Sequence, residues 1–177
     1  LGSSSGSAYS NDSWTNQSVY VAKNNGSDGS GESGHSSTTW TIAGTAESGT
    51  SKTLDPGSNK SATYSIVVTT TDVAGNSASN TYTVNIDKNG PTVGTVTMKL
   101  GSSSGNTYSN NTWTSSSVYV AKNNGSDGSG ESGHGSTTWT IAGSWESGTN
   151  KTQDRGSGVC KTYSIVVTTK DVAGNSV

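Results

Sequence analysis

Two polar segments that recur along the chain carry most of the side chains whose types could do chemistry. The segment "KNNGSDGSGESGH" covers residues 23–35 and returns unchanged at residues 122–134. The shorter segment "DVAGN" starts at residue 72 and again at residue 171. Because Ca²⁺ takes six to eight oxygens from carboxylates, carbonyls and water, acidic loops of this kind are candidate calcium ligands. The acidic residues are Asp28, Glu32 and Asp72 in the first copy, and Asp127, Glu131 and Asp171 in the second.

The same loop also spells G-x-G-x-x-G, the spacing of a dinucleotide-binding turn, through Gly29, Gly31 and Gly34. That motif needs a helix whose N-terminus receives the pyrophosphate, whereas the residues that follow, "HSSTTWTIAG", have the pattern of a strand. The G-x-S-x-G at residues 2–6 lacks the strand-turn-helix of a nucleophile elbow. No acid pair, triad or closed metal site is visible, and His35 and its counterpart are typical loop residues. The sequence therefore predicts a protein that is not an enzyme.

The composition excludes several other classes of function. Hydrophobic residues make up 27% of the 177 residues, Phe is absent, and Gly, Ser, Thr and Asn dominate. Charged residues are 12% and the net charge is −2, which argues against a disordered polyelectrolyte and favours a β protein with a thin core. No basic stripe indicates nucleic acid, and no apolar run is long enough to predict a membrane span. The single cysteine, Cys160, cannot form an internal disulfide.

The whole chain is built on a repeat of 99 residues. Residues 1–78 align without a gap with residues 100–177, and 60 of these 78 positions are identical. Seven differences fall in residues 51–62, where Gln153 replaces Leu54, which predicts an exposed loop. The segments 91–99 and 79–90 each occur once. The sequence therefore predicts two domains, residues 1–90 without a first strand and residues 91–177 without a last strand.

Short segments rich in β-branched and aromatic residues alternate with period two and are separated by Gly, Ser and Asn. No window carries the spacing of an amphipathic helix. The pattern predicts an all-β sandwich. The predicted strands of the first copy and the linker are Ser18–Lys23, Thr38–Gly44, Thr63–Asp72, Asn80–Asp87 and Thr92–Lys99.

The segments "DVAGN" at Asp72–Asn76 and "IDKNGP" at Ile86–Pro91 carry a family resemblance. They resemble the closing half of bacterial immunoglobulin-like repeats, in which one strand ends in D-x-x-G-N and the last ends in I-D-x-x-x-P. The opening "SWTNQSVYVAKNNGSDGSG" is also similar to the start of those repeats. The resemblance covers nearly the whole chain and implies tandem immunoglobulin-like β-sandwich domains. It further implies a stalk of a large surface adhesin or a decoration of a phage virion.

In a sandwich of this topology, the loop at residues 122–134, the "DVAGN" turn and the incoming linker share one pole. We therefore expect a calcium site at the domain junction, with a corresponding site in the first repeat. The alternative is that the aspartates close turns by accepting backbone N–H groups and the loop acids solubilise the loop. The proposed ligands are Asp87, Asp127, Glu131 and Asp171 at the junction, and Asp28, Glu32 and Asp72 in the first repeat.

The tryptophans divide into three groups. Trp40 and Trp139 alternate with Ile and predict core positions. Trp14 and Trp113 predict the sealing of a sheet edge. Trp145 replaces Ala46 in a variable loop, which predicts an exposed ring able to stack on a sugar or a partner protein.

These observations favour a non-enzymatic repeat region of an extracellular or cell-surface fibrous protein that acts as an adhesin stalk or filament spacer. Its partners would be neighbouring repeats or like chains, head to tail, with Ca²⁺ as the only cofactor considered. The alternative is a glycan- or receptor-binding module, with a host glycan or surface protein as the partner. The missing strands would be supplied either by flanking sequence or by another chain.

Overall fold

A computed structural model describes residues 2–177, and within them the chain forms strands and no helix. The prediction of an all-β protein is confirmed. No helix in these residues is long and apolar enough to cross a membrane. The strands are β1 (Trp14–Thr15), β2 (Val19–Ala22), β3 (His35–Ile42), β4 (Thr45–Glu47), β5 (Ser51–Leu54), β6 (Ser61–Asp72), β7 (Ser77–Asp87), β8 (Val96–Leu100), β9 (Val118–Lys122), β10 (His134–Ile141), β11 (Ser144–Trp145), β12 (Asn150–Gln153) and β13 (Ile165–Asp171).

The chain divides into two compact units. The first unit ends at Asn89 and also includes Gly130–Ser132. The second comprises Gly90–Ser129 and Gly133–Val177.

In the first unit, a five-stranded sheet has the order β1-β7-β6-β3-β4, and β2 pairs with β5 in a second sheet. Its core joins Val19 and Leu54 of the small sheet to Trp40, Ile66 and Ile86 of the large one. Two sheets that share one apolar core are compatible with a β-sandwich. Tyr82, Val84 and Ile86 share one face of β7, and along that face Val84 and Ile86 are buried in the core whereas Tyr82 is 46% exposed.

In the second unit, one sheet has the order β11-β10-β13 and the other has the order β12-β9-β8. The core consists of Val120, Trp139 and Ile141, with Met98 and Ile165 packed against it. The two units thus contain different parts of the same plan. Among residues 2–177, the first unit has β7 and no counterpart of β8, whereas the second has β8 and no counterpart of β7.

Within each copy, the equivalent strands pair in the same register. Trp40 lies opposite Val68 on β6, and Trp139 lies opposite Val167 on β13. Each indole N–H donates to a backbone carbonyl at 2.8 Å, that of Gly49 in the first copy and that of Gly148 in the second. The prediction that these two tryptophans are core residues is confirmed.

Two sequence-based predictions about individual residues were wrong. Leu54 is only 3% exposed and belongs to the core, so its exchange for Gln153 does not mark an exposed loop. Trp113 is 76% exposed and seals no sheet edge. Trp14, its counterpart, is half-buried on β1, which pairs with β7.

Candidate functional site

The "DVAGN" turn of the second copy is organised around the side chain of Asp171, the last residue of β13 and 3% exposed. Its Oδ1 accepts hydrogen bonds from the backbone N–H groups of Gly174, at 2.6 Å, and Asn175, at 2.8 Å. Its Oδ2 accepts one from the amide side chain of Asn175 at 2.7 Å. Gly174 has φ of 104°, a backbone conformation that favours glycine and lets these N–H groups converge.

The repeated loop is attached to this turn through Gly133. The Gly133 N–H donates to Oδ2 of Asp127 at 2.7 Å, and its carbonyl accepts from the N–H of Val172 at 2.9 Å. Gly133 has φ of 91°, a left-handed conformation that favours glycine. Asp127 thereby closes its own loop and stands beside the end of β13.

Asp87 ends β7 with its side chain fully buried. Its Oδ1 accepts from the N–H of Asn89 at 3.0 Å, and its Oδ2 accepts from the N–H of Ser132 at 2.8 Å. The side chain of Asn89 also donates to Oε1 of Glu131. The pair Asn89 and Ser132 was not predicted, because nothing in their types distinguishes them from the many other Asn and Ser residues of these loops.

Two of the predicted ligands, both in the second unit, lie together. One carboxylate oxygen of Asp127 lies within 4.8 Å of one of Asp171. Two ligands at about 2.4 Å on opposite sides of a calcium ion are about 4.8 Å apart, so this spacing allows one ion to touch both. Carboxylate oxygens are hard donors, which suit Ca²⁺ or Mg²⁺ and not a thiophilic metal. The pair could therefore hold a cation.

The acidic residues of the first copy are arranged differently. Asp28 accepts from the N–H of Gly34 at 2.8 Å, as Asp127 does from Gly133, and Asp72 accepts from the N–H and the side chain of Asn76, both at 2.8 Å. Within residues 2–177, Asp28, Glu32 and Asp72 do not form a group of three whose ligand atoms all lie within 4.8 Å of one another.

Hydrogen bonds lower the pKa values of Asp28 and Asp72. The side chain of Asn76 is the largest cause that lowers the pKa of Asp72 below its ordinary value, with help from backbone N–H groups, while the charge of Asp28 acts in the opposite direction. The pKa of Asp28 is lowered first by its hydrogen bond with the Glu32 carboxyl and then by the Gly34 N–H. These contacts match the turn-closing alternative for the aspartates.

The two histidines begin β10 and β3, where His134 lies opposite Asp171 and His35 lies opposite Asp72. The imidazole Nε2 of His134 lies 2.9 Å from the hydroxyl of Thr137, as that of His35 does from Thr38. Trp145 is 66% exposed on β11, so the expected exposure of its ring is confirmed.

Comparison of the chain with protein-family models, with curated proteins and with solved structures gives no match.

Proposed function

We propose that this chain is a structural repeat region of an extracellular or cell-surface fibrous protein, built from immunoglobulin-like sandwich units, that acts as a stalk or spacer. The observation that supports the proposal is the identical register of β3 on β6 and of β10 on β13. Copies of one sequence that fold alike lengthen a protein by simple addition. Surfaces rich in Gly, Ser and Thr, with few charges, suit a segment that separates other parts of a protein without binding them.

Calcium is the second part of the proposal. The carboxylates of Asp127 and Asp171, with oxygens within 4.8 Å, repel one another when both are ionised. A divalent cation between them would relieve that repulsion. It would also tie the loop of Asp127 to the end of β13 at Asp171. A segment with a thin core has few other means to resist extension.

Terbium luminescence tests the calcium site, because Tb³⁺ occupies calcium sites and is sensitised by tryptophan. We expect saturable emission that Ca²⁺ displaces, together with a melting temperature that rises with Ca²⁺ and falls when a chelator is added. The variant Asp127→Asn should lose both responses. The matched control is Asp28→Asn, which changes the same loop in the first copy and should keep both. Equal loss in the two variants, or no response in the parent chain, would remove calcium from the proposal.

The stalk itself is tested by mechanical unfolding of the chain between two handles. We expect two unfolding events, each at a force typical of shear-loaded β-sandwiches, and a higher force for at least one event in Ca²⁺. Unfolding of both units at negligible force would contradict a load-bearing role, whatever the outcome of the terbium experiment.

A binding module remains the second candidate, because Trp145 is exposed in a loop where the first copy has Ala46. Exposed aromatic rings stack on sugars and on partner proteins. Screening of the chain against immobilised glycans and host cells tests it. Binding that Trp145→Ala abolishes would favour the module, and the absence of any binding would favour the spacer.

A further inference from the structure

The chain contains the dipeptide Asn-Gly three times, and this dipeptide can modify itself. The three occurrences are Asn25–Gly26, Asn89–Gly90 and Asn124–Gly125. The backbone nitrogen of the glycine can attack the side-chain carbonyl carbon of the asparagine, because the two atoms belong to one chain and close a five-membered ring. Glycine favours the attack because it has no Cβ to obstruct the approach. The three dipeptides have different surroundings, so the structure indicates which of them reacts.

In both copies of the glycine-rich loop, a hydrogen bond holds the glycine nitrogen. The N–H of Gly26 donates to Oγ1 of Thr38 at 2.9 Å, and the N–H of Gly125 donates to Oγ1 of Thr137 at 3.0 Å. The nitrogen must lose this hydrogen before it can attack, so the hydrogen bond has to break first. In the folded loops both nitrogens are therefore poor nucleophiles.

Close packing holds the same two glycines in place. A Cβ added to Gly26 would stand 2.3 Å from Oγ1 of Thr70, and a Cβ added to Gly125 would stand 2.4 Å from Oγ1 of Thr169. Ring closure requires the peptide group between asparagine and glycine to rotate towards the asparagine side chain. The threonine against which each glycine packs opposes that rotation. The asparagines of both loops are exposed, so the protection comes from the held backbone and not from exclusion of water.

The dipeptide Asn89–Gly90 has neither restraint. Gly90 is exposed, and a Cβ added to it would meet nothing within 4 Å. Among residues 2–177, no group accepts a hydrogen bond from its N–H. The Gly90 nitrogen can therefore lose its hydrogen and turn towards the side chain of Asn89 without breaking a contact.

The side chain of Asn89 contacts a carboxylate through the atom that would leave. Its Nδ2 donates to Oε1 of Glu131, and its backbone N–H donates to Oδ1 of Asp87 at 3.0 Å. Loss of Nδ2 as ammonia would put an oxygen in its place. A carboxylate oxygen cannot donate a hydrogen bond, so the contact with Glu131 would change from attraction to repulsion between like charges.

We propose that Asn89 is a site of spontaneous deamidation, and that the folded loops protect Asn25 and Asn124 from the same reaction. The Gly90 nitrogen gives its proton to hydroxide and forms a bond to Cγ of Asn89. The bond from Cγ to Nδ2 then breaks, and Nδ2 takes a proton from water and leaves as ammonia. Water opens the resulting succinimide at either carbonyl, which gives aspartate or isoaspartate. The net reaction consumes water and releases ammonia, with no oxidant or enzyme.

The modification changes the end of β7 irreversibly. It adds a negative charge beside Asp87 and Glu131, and in isoaspartate it also inserts the Cβ of the residue into the main chain. Both products lose the hydrogen bond from Asn89 to Glu131. The inference depends neither on a role as a stalk nor on calcium.

The test follows the three dipeptides in the full chain at mildly alkaline pH and body temperature. Trypsin releases residues 24–52, 89–99 and 123–151, which differ in sequence, so mass spectrometry reports each dipeptide separately. In the native protein we expect Asn89 to react at least tenfold faster than Asn25 and Asn124. In concentrated urea the three rates should agree within about threefold, because the loops no longer hold their glycines. Equal rates in the native protein, or an intact Asn89 there when the urea sample has reacted, overturn the proposal.

Two pairs of variants test the cause of the difference. Gly90→Ala should slow the reaction of Asn89 at least tenfold and leave the two loops unchanged, and the added Cβ has room in the fold. Thr38→Val removes the acceptor of the Gly26 N–H and should accelerate the reaction of Asn25 alone. Its control is Thr39→Val, an exposed neighbour on β3, which should accelerate neither loop.

Circular dichroism checks that both threonine variants remain folded, since unfolding by itself would expose Asn25. An unchanged rate at Asn25 in folded Thr38→Val, or equal acceleration by Thr39→Val, would contradict protection by the hydrogen bond. An unchanged rate at Asn89 in Gly90→Ala would contradict attack by the Gly90 nitrogen.

Discussion

Trp14 and Trp113 occupy the same position in the two copies and have opposite environments. Trp14 lies opposite Asn85 in the parallel pair of β1 with β7 and is half-buried, whereas Trp113 is 76% exposed and lies in no strand. Four of the six residues that flank them, three on each side, differ between the copies, and β7, with which Trp14 pairs through β1, has no counterpart among the described residues of the second unit. The exposure of Trp113 therefore accompanies both a different local sequence and an edge of β13 that no strand covers within the described residues.

The first prediction concerns that edge within one polypeptide. A chain extended after Val177 by the sequence of residues 79–90 should form a β7-like strand on β13. We expect Trp113 to become protected from acrylamide quenching and the melting temperature of the second unit to rise, since about 25 cal/mol is gained for each Å² of apolar surface removed from water. An extension with the same composition in scrambled order is the control. Equal effects of the two extensions would show that length alone, and not strand pairing, is responsible.

The second prediction concerns Gln153. Its Nε2 is buried and has no hydrogen-bond partner among the described residues, and its counterpart Leu54 is a core residue. The variant Gln153→Leu should raise the free energy of unfolding by about 1 kcal/mol, because a buried polar group without a partner is removed and apolar surface is gained. The measurement is urea denaturation monitored by tryptophan fluorescence.

The reverse change in the first unit provides the control for Gln153→Leu. Leu54→Gln should lower the free energy of unfolding by about 2 kcal/mol or more, because it introduces an amide into a closed core. Effects of the same sign in both variants would contradict the idea that the two positions are equivalent.

Much of the fold followed from the sequence, and the exceptions have physical reasons. Period two and β-branched residues located the strands of the sheets, because these properties are local. The tight turn from β3 to β4 was missed and was placed inside a strand that continued to Gly44. Ala43 and Gly44 both have positive φ, as the two-residue hairpin turn requires, but alanine rarely adopts that conformation and gave no signal.

The candidate site could be predicted only in part, because some of its residues stand in local motifs and others depend on the topology. Asp127 and Asp171 stand in motifs that recur, so their positions in a loop and a turn could be read from the sequence. That the loop and the turn lie close together depends on which ends of the strands meet, and the resemblance to a known topology gave that expectation. The burial of Leu54 could not be read locally, because it depends on packing against residues far away in sequence, such as Ile86.

The third prediction concerns acid. The pKa of Asp72 is lowered in the folded protein, chiefly by the side chain of Asn76, from its ordinary value of 3.8. A lowered folded-state pKa means that the stabilising contribution is complete above the ordinary pKa and is lost as the pH falls through the folded value. The variant Asp72→Asn should therefore be less stable than the parent at pH 7, with a difference that shrinks towards pH 2. Denaturation curves across this range measure it, and a difference that is constant with pH would contradict the assignment.

The last prediction addresses why the glycine-rich loop has the same sequence in both copies. A Cβ added to Gly125 would stand 2.2 Å from the carbonyl oxygen of Thr92 and 2.4 Å from Oγ1 of Thr169. The N–H of Gly125 also donates to Oγ1 of Thr137 at 3.0 Å, so the backbone of the loop must approach the sheet this closely. In the first copy, a Cβ at Gly26 would meet Oγ1 of Thr70 at 2.3 Å.

Gly125→Ala should lower the free energy of unfolding of the second unit by about 1–3 kcal/mol, because the backbone oxygen of Thr92 cannot turn aside as a flexible side chain would. Gly90→Ala is the matched control, since a Cβ there meets nothing within 4 Å and its φ is not left-handed. It should be neutral or stabilising by about 0.4–1 kcal/mol through the unfolded chain. Urea denaturation of both variants measures the change. If only Gly125→Ala lowers the free energy of unfolding, close packing against Thr169 and Thr92 explains why the loop has the same sequence in both copies. Similar effects of the two variants would contradict this explanation.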